Sequence, residues 1–184
     1  LVIWGGEFGR SPVSDGGAAV VVSRERTGEI GVRVLGCAQA HTHQHVTAAP
    51  ALSQLGAEIA IARAKAASGV AMSDVRYAAV YDSFTITLAM LLEDLGLAGR
   101  GEAAARVRAG HFGRDGEMPL NTHGGLLSYG HCGVGGAMAH LVETQLQMTG
   151  RAGPRQVRDA SLALLHGDGG VMSSHVSMFL ERVR

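Results

Sequence analysis

The spacing of apolar positions changes several times along the chain, and each change marks an element. Residues 13–23 open on a turn at Asp15-Gly16-Gly17 and continue as an unbroken run of alanine and valine, the pattern of a strand covered on both faces. After a polar turn at 24–29, the stretch GVRVLGCA over 31–38 predicts a second strand, followed by a histidine-bearing loop over 40–46. Residues 55–69 place Leu55, Ile59, Ala62 and Ala66 at helical spacing and stop at Gly69, a glycine in the position that ends helices. A third strand is predicted over 75–81. At Asp82-Ser83 the period switches from strand to helix, with Phe84, Leu88, Leu91, Leu92 and Leu95 on one stripe and Gly96 as terminator. Residues 100–119 are polar and glycine-bearing, a short helix and an excursion. A glycine-rich loop over 121–136 leads into a helix reaching 148, with Met138, Leu141, Val142 and Leu146 expected inward. Two closing strands, 161–165 and 171–180, flank a turn at His166-Gly167-Asp168-Gly169-Gly170.

Strands alternating with crossover helices predict the α/β class: a layered α-β-α arrangement with a mostly parallel sheet and an antiparallel closing strand. With 184 residues, 46% apolar and 17% charged, the chain suits one domain with a substantial core rather than disorder. Glycine supplies 27 residues, about twice the usual ~7%, so backbone must approach backbone or ligand somewhere. Sixteen basic residues balance sixteen acidic ones, which gives no surface for nucleic acid or an acidic membrane. No signal-peptide pattern opens these residues, and no apolar run among them reaches the length that spans a bilayer. Cys37 and Cys132 are too few for a disulfide framework, and a cytoplasmic, reducing location is expected. A chain opening at Leu1 in apolar, glycine-containing text is expected to be part of something longer. The single lysine, Lys65, argues against Schiff-base chemistry.

In α/β folds the working groups gather where strands end and helices begin. The first such place is Tyr81-Asp82-Ser83-Phe84-Thr85. Asp82 or Ser83 suits the cap of the following helix, and Tyr81 presents a phenol at a strand terminus. The second is the stretch from Asn121 through Gly124, Gly125 and Gly130 to His131, Cys132 and Gly136. Glycines there bring backbone N–H groups near a ligand, the helix start favours negative charge, and His131 suits an acid, a base or an oxyanion donor. The third is the turn after His166, where the amides of Asp168 and Gly169 are candidates for an oxyanion hole. His41, His43 and His45 alternate as metal ligands would, but no acid or cysteine completes a shell nearby, and no metal site is assigned.

Val80-Tyr81-Asp82-Ser83-Phe84-Thr85, the stretch from Asn121 to Gly136, Arg155-Gln156-Val157, and the stretch from Leu165 to Gly170 together resemble the C-terminal half of the thiolase superfamily. The likeness is greatest to its sterol-carrier-type, lipid-transfer-protein-like branch, which includes thiolase-like aldolases. Asp15-Gly16-Gly17-Ala18-Ala19 is similar to the strand ending the family's N-terminal half. The implied division is a divergent lead-in over 1–12, the end of the N-terminal half over 13–28, and a C-terminal thiolase-like domain over 29–184. The resemblance places His131 in the family's Gly-His-Pro loop, polarising a thioester carbonyl, with Cys132 in place of proline. Tyr81 stands where the family has an Asn or His that orders water or touches substrate. Ser83 and His166 stand at the two positions where family members keep an acid–base cysteine, and His166 is expected to shuttle a proton. Asn121, Gly124, Gly125, Asp168, Gly169, Cys132 and Ser83 are implied to shape the oxyanion and substrate site. CoA thioesters are implied as substrates, with no tightly bound cofactor. A homodimer is expected, with an OB-fold, zinc-ribbon protein as a further partner.

The leading expectation is therefore the C-terminal part of a thiolase-like acyl-CoA acyltransferase in lipid or sterol side-chain metabolism. The nucleophilic cysteine would lie in the half not represented here, so the isolated chain is expected to be inactive. A second reading is retro-aldol cleavage of a β-hydroxyacyl-CoA with Tyr81 as acid–base, and a third is a non-catalytic truncated module. Tyr81, His131 and His166 are all expected at one pocket floor.

Overall fold

The computed structural model describes residues 17–25, 28–51, 55–170 and 172–183. The elements are β1 (Gly31–His41), α1 (Ala57–Ser68), β2 (Tyr77–Val80), α2 (Thr85–Asp94), α3 (Ala103–Arg108), α4 (Leu126–Tyr129), α5 (Gly136–Met148), β3 (Leu162–Gly169) and β4 (Ser174–Val183). The expected lead-in over 1–12 and the start of the expected first strand, 13–16, lie outside the described residues. Residues 17–23 form no strand, and Val21 is 97% and Val22 84% exposed. A β-branched run becomes a strand only against a ladder partner, and none lies beside it among the described residues.

The four strands run in the order β1-β4-β3-β2. β2 and β3 pair in parallel, whereas β4 pairs antiparallel with both β3 and β1. The sheet is thus mostly antiparallel, not mostly parallel as expected. β1, β2 and β3 share one direction, but the closing strand β4 slots between β1 and β3 instead of joining an edge, so both of its ladders are antiparallel. β3 also runs further than its apolar pattern suggests: His166 to Gly169 continue the ladder, opposite Ser177 to Ser174. The tight turn lies beyond, where Ser173 N donates to Gly169 O and the Ser173 hydroxyl to Gly170 O.

Side chains alternate across the sheet, building two cores. On one face Ala78, Val80, Leu164 and Phe179 meet Ala57, Ile61 and Ala64 of α1 and the predicted leucine stripe of α2. On the other, Tyr77, Ala79, Ala163, Leu165 and Leu180 meet Met148 at the end of α5. α1 buries Ala57, Ala60, Ile61 and Ala64; of the expected stripe Leu55, just before the helix, is buried, whereas Ile59, Ala62 and Ala66 are exposed. The small side chains let it sit tight on the sheet: a Cβ on Gly36 would lie 2.7 Å from Ser68 N. On α5 the buried stripe is polar (His140, Glu143, Thr144 and Gln147), and Met138, Val142 and Leu146 line an outer cavity instead of the core.

Candidate active site

β2 ends at Val80, and Asn121 anchors that end. Its Oδ1 accepts from Val80 N at 2.8 Å and its Nδ2 donates to Val80 O at 2.7 Å. Asn121 is buried and held at φ 46°, with its amide bonded to the backbone of Val80 through both Oδ1 and Nδ2. Just beyond β2, Tyr81 Oη lies 2.7 Å from His131 Nε2. Gly133 N–H donates to His131 Nδ1 at 3.0 Å, which puts the proton of the neutral ring on Nε2. The Nε2–H therefore points at the phenol oxygen, an arrangement that stabilises negative charge on Tyr81.

Asp82 does not cap the helix that follows it. α2 has Phe84 at its N-cap and no side-chain cap. The Asp82 carboxylate reaches instead to the glycine-rich loop, accepting from Leu126 N at 2.8 Å and Leu127 N at 3.4 Å, and so caps the short helix α4. His140 Nε2 of α5 lies 3.3 Å from the same carboxylate. The His140 ring stands 6.3 Å from Tyr81 and 5.0 Å from His123, centroid to centroid. Burial, with His140 beside it, pushes the His123 imidazole down to about 4. Gly124 and Gly125 hold positive φ angles that this loop requires, and Ser83 is buried.

Next to this arrangement lies a cavity of about 260 Å³, lined by His123, Tyr129, Cys132, Met138, Val142 and Arg155 among others. At its polar end Arg155 pairs with Glu143 at 2.9 Å, while Thr122 and Gln147 also donate to that carboxylate. Burial works against the charge on Glu143, but the bonds from Arg155, Thr122 and Gln147 outweigh it and hold the group below the usual carboxylate range. The Arg155-Gln156-Val157 stretch is thereby tied to α5: Gln147 Oε1 accepts from Val157 N at 2.9 Å.

His166 does not join Tyr81 and His131. Leu164 packs in the α1 core and Leu165 in the α5 core, so by alternation His166 faces α1, whereas Tyr81 meets α5. His175 Nε2 is 3.0 Å from the carbonyls of Leu55 and Met172, so it donates, and His175 Nδ1 accepts. His166 Nε2 is 3.3 Å from that Nδ1, and Ser177 Oγ is 2.8 Å from His166 Nδ1. The result is one directional chain, Ser177 to His166 to His175 to carbonyl, satisfied with neutral rings. Burial pushes His166 down to about 3 and lowers His175 as well. Asp168 and Gly169 sit in the β3–β4 ladder, not in the open turn expected. Burial raises the Asp168 carboxyl to about 7.

The Asp168 and His166 shifts predict a specific pH response. Raised in the fold, Asp168 stabilises fully below about pH 4 and loses that contribution as pH climbs through about 7. Lowered in the fold, His166 stabilises above about pH 6.5 and loses its contribution as pH falls towards 3. Between these limits the two slopes oppose. Asp168→Asn is expected to improve relative to the parent by about 1–3 kcal/mol between pH 5 and pH 8, read by urea unfolding at both pH values. An unchanged difference would show that Asp168 is ionised in the fold throughout.

The alternating histidines do not converge. His41 and His45 are exposed and His43 is buried against Thr42. Among the described residues no group of three or more His, Cys, Asp and Glu is placed to hold a metal ion. Cys37 is exposed on β1, and no described helix is long and apolar enough to cross a membrane. The residue missed from sequence was His140. Its signal was the helical spacing of His140, Glu143, Thr144 and Gln147, a polar stripe overlooked in favour of the apolar one.

A family model described as thiolase C-terminal domain-like matches residues 38–182. An acetyl-CoA acetyltransferase of Methanothermobacter thermautotrophicus is 33% identical over 180 residues, 90% of this chain and 45% of that protein. A steroid side-chain-cleaving aldolase of Thermomonospora curvata is 36% identical over 128 residues, 62% of this chain and 32% of that one. Among solved structures, an Ltp2-ChsH2(DUF35) aldolase superposes with a TM-score of 0.68 at 26% identity, covering 79% of this chain and 38% of its own. The chain thus spans less than half the length of each. The glycine-rich loop carrying His131, the strand end carrying Tyr81 and the α5 network all fall inside the matched region, and the chain belongs to the thiolase family as a C-terminal domain-like member.

Proposed function

We propose that this chain supplies the acid–base part of a thiolase-like enzyme that cleaves the Cα–Cβ bond of a β-hydroxyacyl-CoA thioester by a retro-aldol step, in lipid or sterol side-chain metabolism. The observation that carries the reading is the 2.7 Å contact between Tyr81 Oη and His131 Nε2, with Gly133 N–H on the opposite ring nitrogen. That pairing aims the imidazole N–H at the phenol rather than at a thioester carbonyl, and it favours the phenolate that a general base requires. Tyr81 takes the proton of the β-hydroxyl. The C–O bond becomes a carbonyl as Cα–Cβ breaks, and the electron pair moves into a thioester enolate. Protonation of Cα by the phenol then returns the base and releases a shortened acyl-CoA, with no oxidant or reductant needed.

The second reading, acyl transfer, is favoured by the long alignment with the acetyltransferase. It requires a cysteine nucleophile activated by a base; of this chain's two cysteines Cys37 is exposed on β1 and Cys132 lines the cavity next to His131. A homodimer and an accessory OB-fold, zinc-ribbon partner of the DUF35 kind belong to the proposal as the assembled form. The test uses the full-length protein with a β-hydroxyacyl-CoA, following the carbonyl product and the shortened thioester by mass spectrometry. Both products without acylated protein are expected, and a trapped acyl-cysteine overturns the retro-aldol reading.

A further inference from the structure

The reaction just proposed uses Tyr81 and His131 but leaves unexplained a fully buried imidazole on α5. His140 is 1% exposed, and its Nε2 lies 3.3 Å from Asp82 Oδ1, a close polar contact outside hydrogen-bond geometry; neither ring nitrogen has a hydrogen-bond partner among the described residues. Asp82 directly follows Tyr81, and its carboxylate holds Leu126 N and Leu127 N at the start of α4. One carboxylate thus joins three pieces of chain: the end of β2, the loop leading to His131, and α5. A buried carboxylate is held in place by the polar groups around it, and His140 Nε2 is the polar atom that α5 places against it. Other titratable and charged groups around His140 are Tyr81 from the end of β2, His123 from the loop before α4, and Tyr129 of α4 beyond His123. Further out stand Glu143 of α5 and Arg155, both of which act on His123.

We propose that His140 is a positioning residue for Tyr81, fixing the Asp82 carboxylate through Nε2 so that the loop carrying His131 is held against the phenol. This rests on Tyr81 as the acid–base group. It assigns the effect to a nitrogen of His140 and not to the volume of its ring, and two substitutions separate those possibilities. His140→Phe keeps a ring of similar size and removes both nitrogens. His140→Gln gives up the ring but keeps an N–H donor able to reach a carboxylate.

The test measures kcat and KM for cleavage in the full-length protein and, separately, hydrogen exchange at the Leu126 and Leu127 amides of the same variants. His140→Phe is expected to lower kcat by about 10–100-fold, as loss of alignment does, with KM within about threefold. Exchange at both amides is expected to speed up by about tenfold or more. His140→Gln is expected to keep kcat within about fivefold of the parent and to keep the amides protected. The reverse order, with Phe tolerated and Gln not, overturns the proposal by showing that ring packing is what matters. If His140→Phe does not fold, loss of rate and of protection in a folded His140→Gln is enough to overturn it. Tyr81→Phe belongs in the same series. Cleavage that survives Tyr81→Phe overturns the retro-aldol reading and this inference together, whereas cleavage lost in Tyr81→Phe but kept in His140→Phe overturns this inference alone.

Discussion

Tyr81→Phe in the full-length protein is expected to slow cleavage of a β-hydroxyacyl-CoA by about 10²–10⁴-fold, the range that removal of a positioned acid–base group produces. The substitution deletes one oxygen at a half-buried site beyond the end of β2, so the unfolding transition should move little. Tyr77 supplies the control. Burial raises its phenol further from ionisation, and its hydroxyl lies 3.3 Å from Thr122 Oγ1 within the α5 network. Tyr77→Phe is therefore expected to leave cleavage within about threefold and to cost about 0.5–1.5 kcal/mol of stability, as loss of one hydrogen bond does. Steady-state rates on one thioester, paired with urea unfolding of both variants, decide the matter. Equal rates for parent and Tyr81→Phe would remove Tyr81 from the chemistry and return the weight to acyl transfer. The geometry argues against that outcome because the tautomer of His131 is set from behind: Gly133 N–H occupies Nδ1, which leaves Nε2–H for the phenol oxygen.

Several elements were legible from spacing alone because local pattern and tertiary packing agree there. The leucine stripe of α2 faces the core as its period demands, and β1, β2 and β4 follow their apolar runs. Where the reading missed, a tertiary contact overrode a local cue. Gly167 and Gly169 suggested a turn, yet β4 pairs with every residue from Leu162 to Gly169, and the ladder outweighs glycine's preference. The helix stripes failed for a related reason. α5 carries apolar residues on one side and polar ones on another, and the sheet end beneath it offers Asp82, Thr122 and the Arg155 turn as partners. A buried polar stripe in which Glu143, Thr144 and Gln147 have their bonds made competes with an apolar one. Tyr81 and His131, named from motif resemblance, do meet in the structure. The same resemblance groups His166 with them, but strand alternation turns it to the opposite face. Residue lists at strand ends do not carry that parity; a two-residue count from Leu164, a core residue, would have supplied it.

Gly125→Ala is the substitution expected to damage the fold most among those at the site. Gly125 sits at φ 71°, ψ 179°, a region that is essentially glycine's alone, and forcing a side chain there costs about 1–3 kcal/mol. A Cβ at this position would also lie 2.7 Å from Asp82 Cγ, with the carboxylate oxygen Oδ2 closer still. The carboxylate cannot simply swing away, because Leu126 N and Leu127 N hold it. Overpacking at such a point adds about 1–3 kcal/mol, so the total of about 2–6 kcal/mol is a large share of the 5–15 kcal/mol on which a domain stands. Urea unfolding of Gly125→Ala reads the sum. The two contributions separate in an Asp82→Ala background, where the collision is gone and only the backbone cost persists: the double variant should be about 1–3 kcal/mol more stable than additivity allows. A cost for Gly125→Ala that is identical with and without the carboxylate would show that Asp82 is not clamped against the loop. In that case neither α4 nor the loop leading to His131 would depend on it.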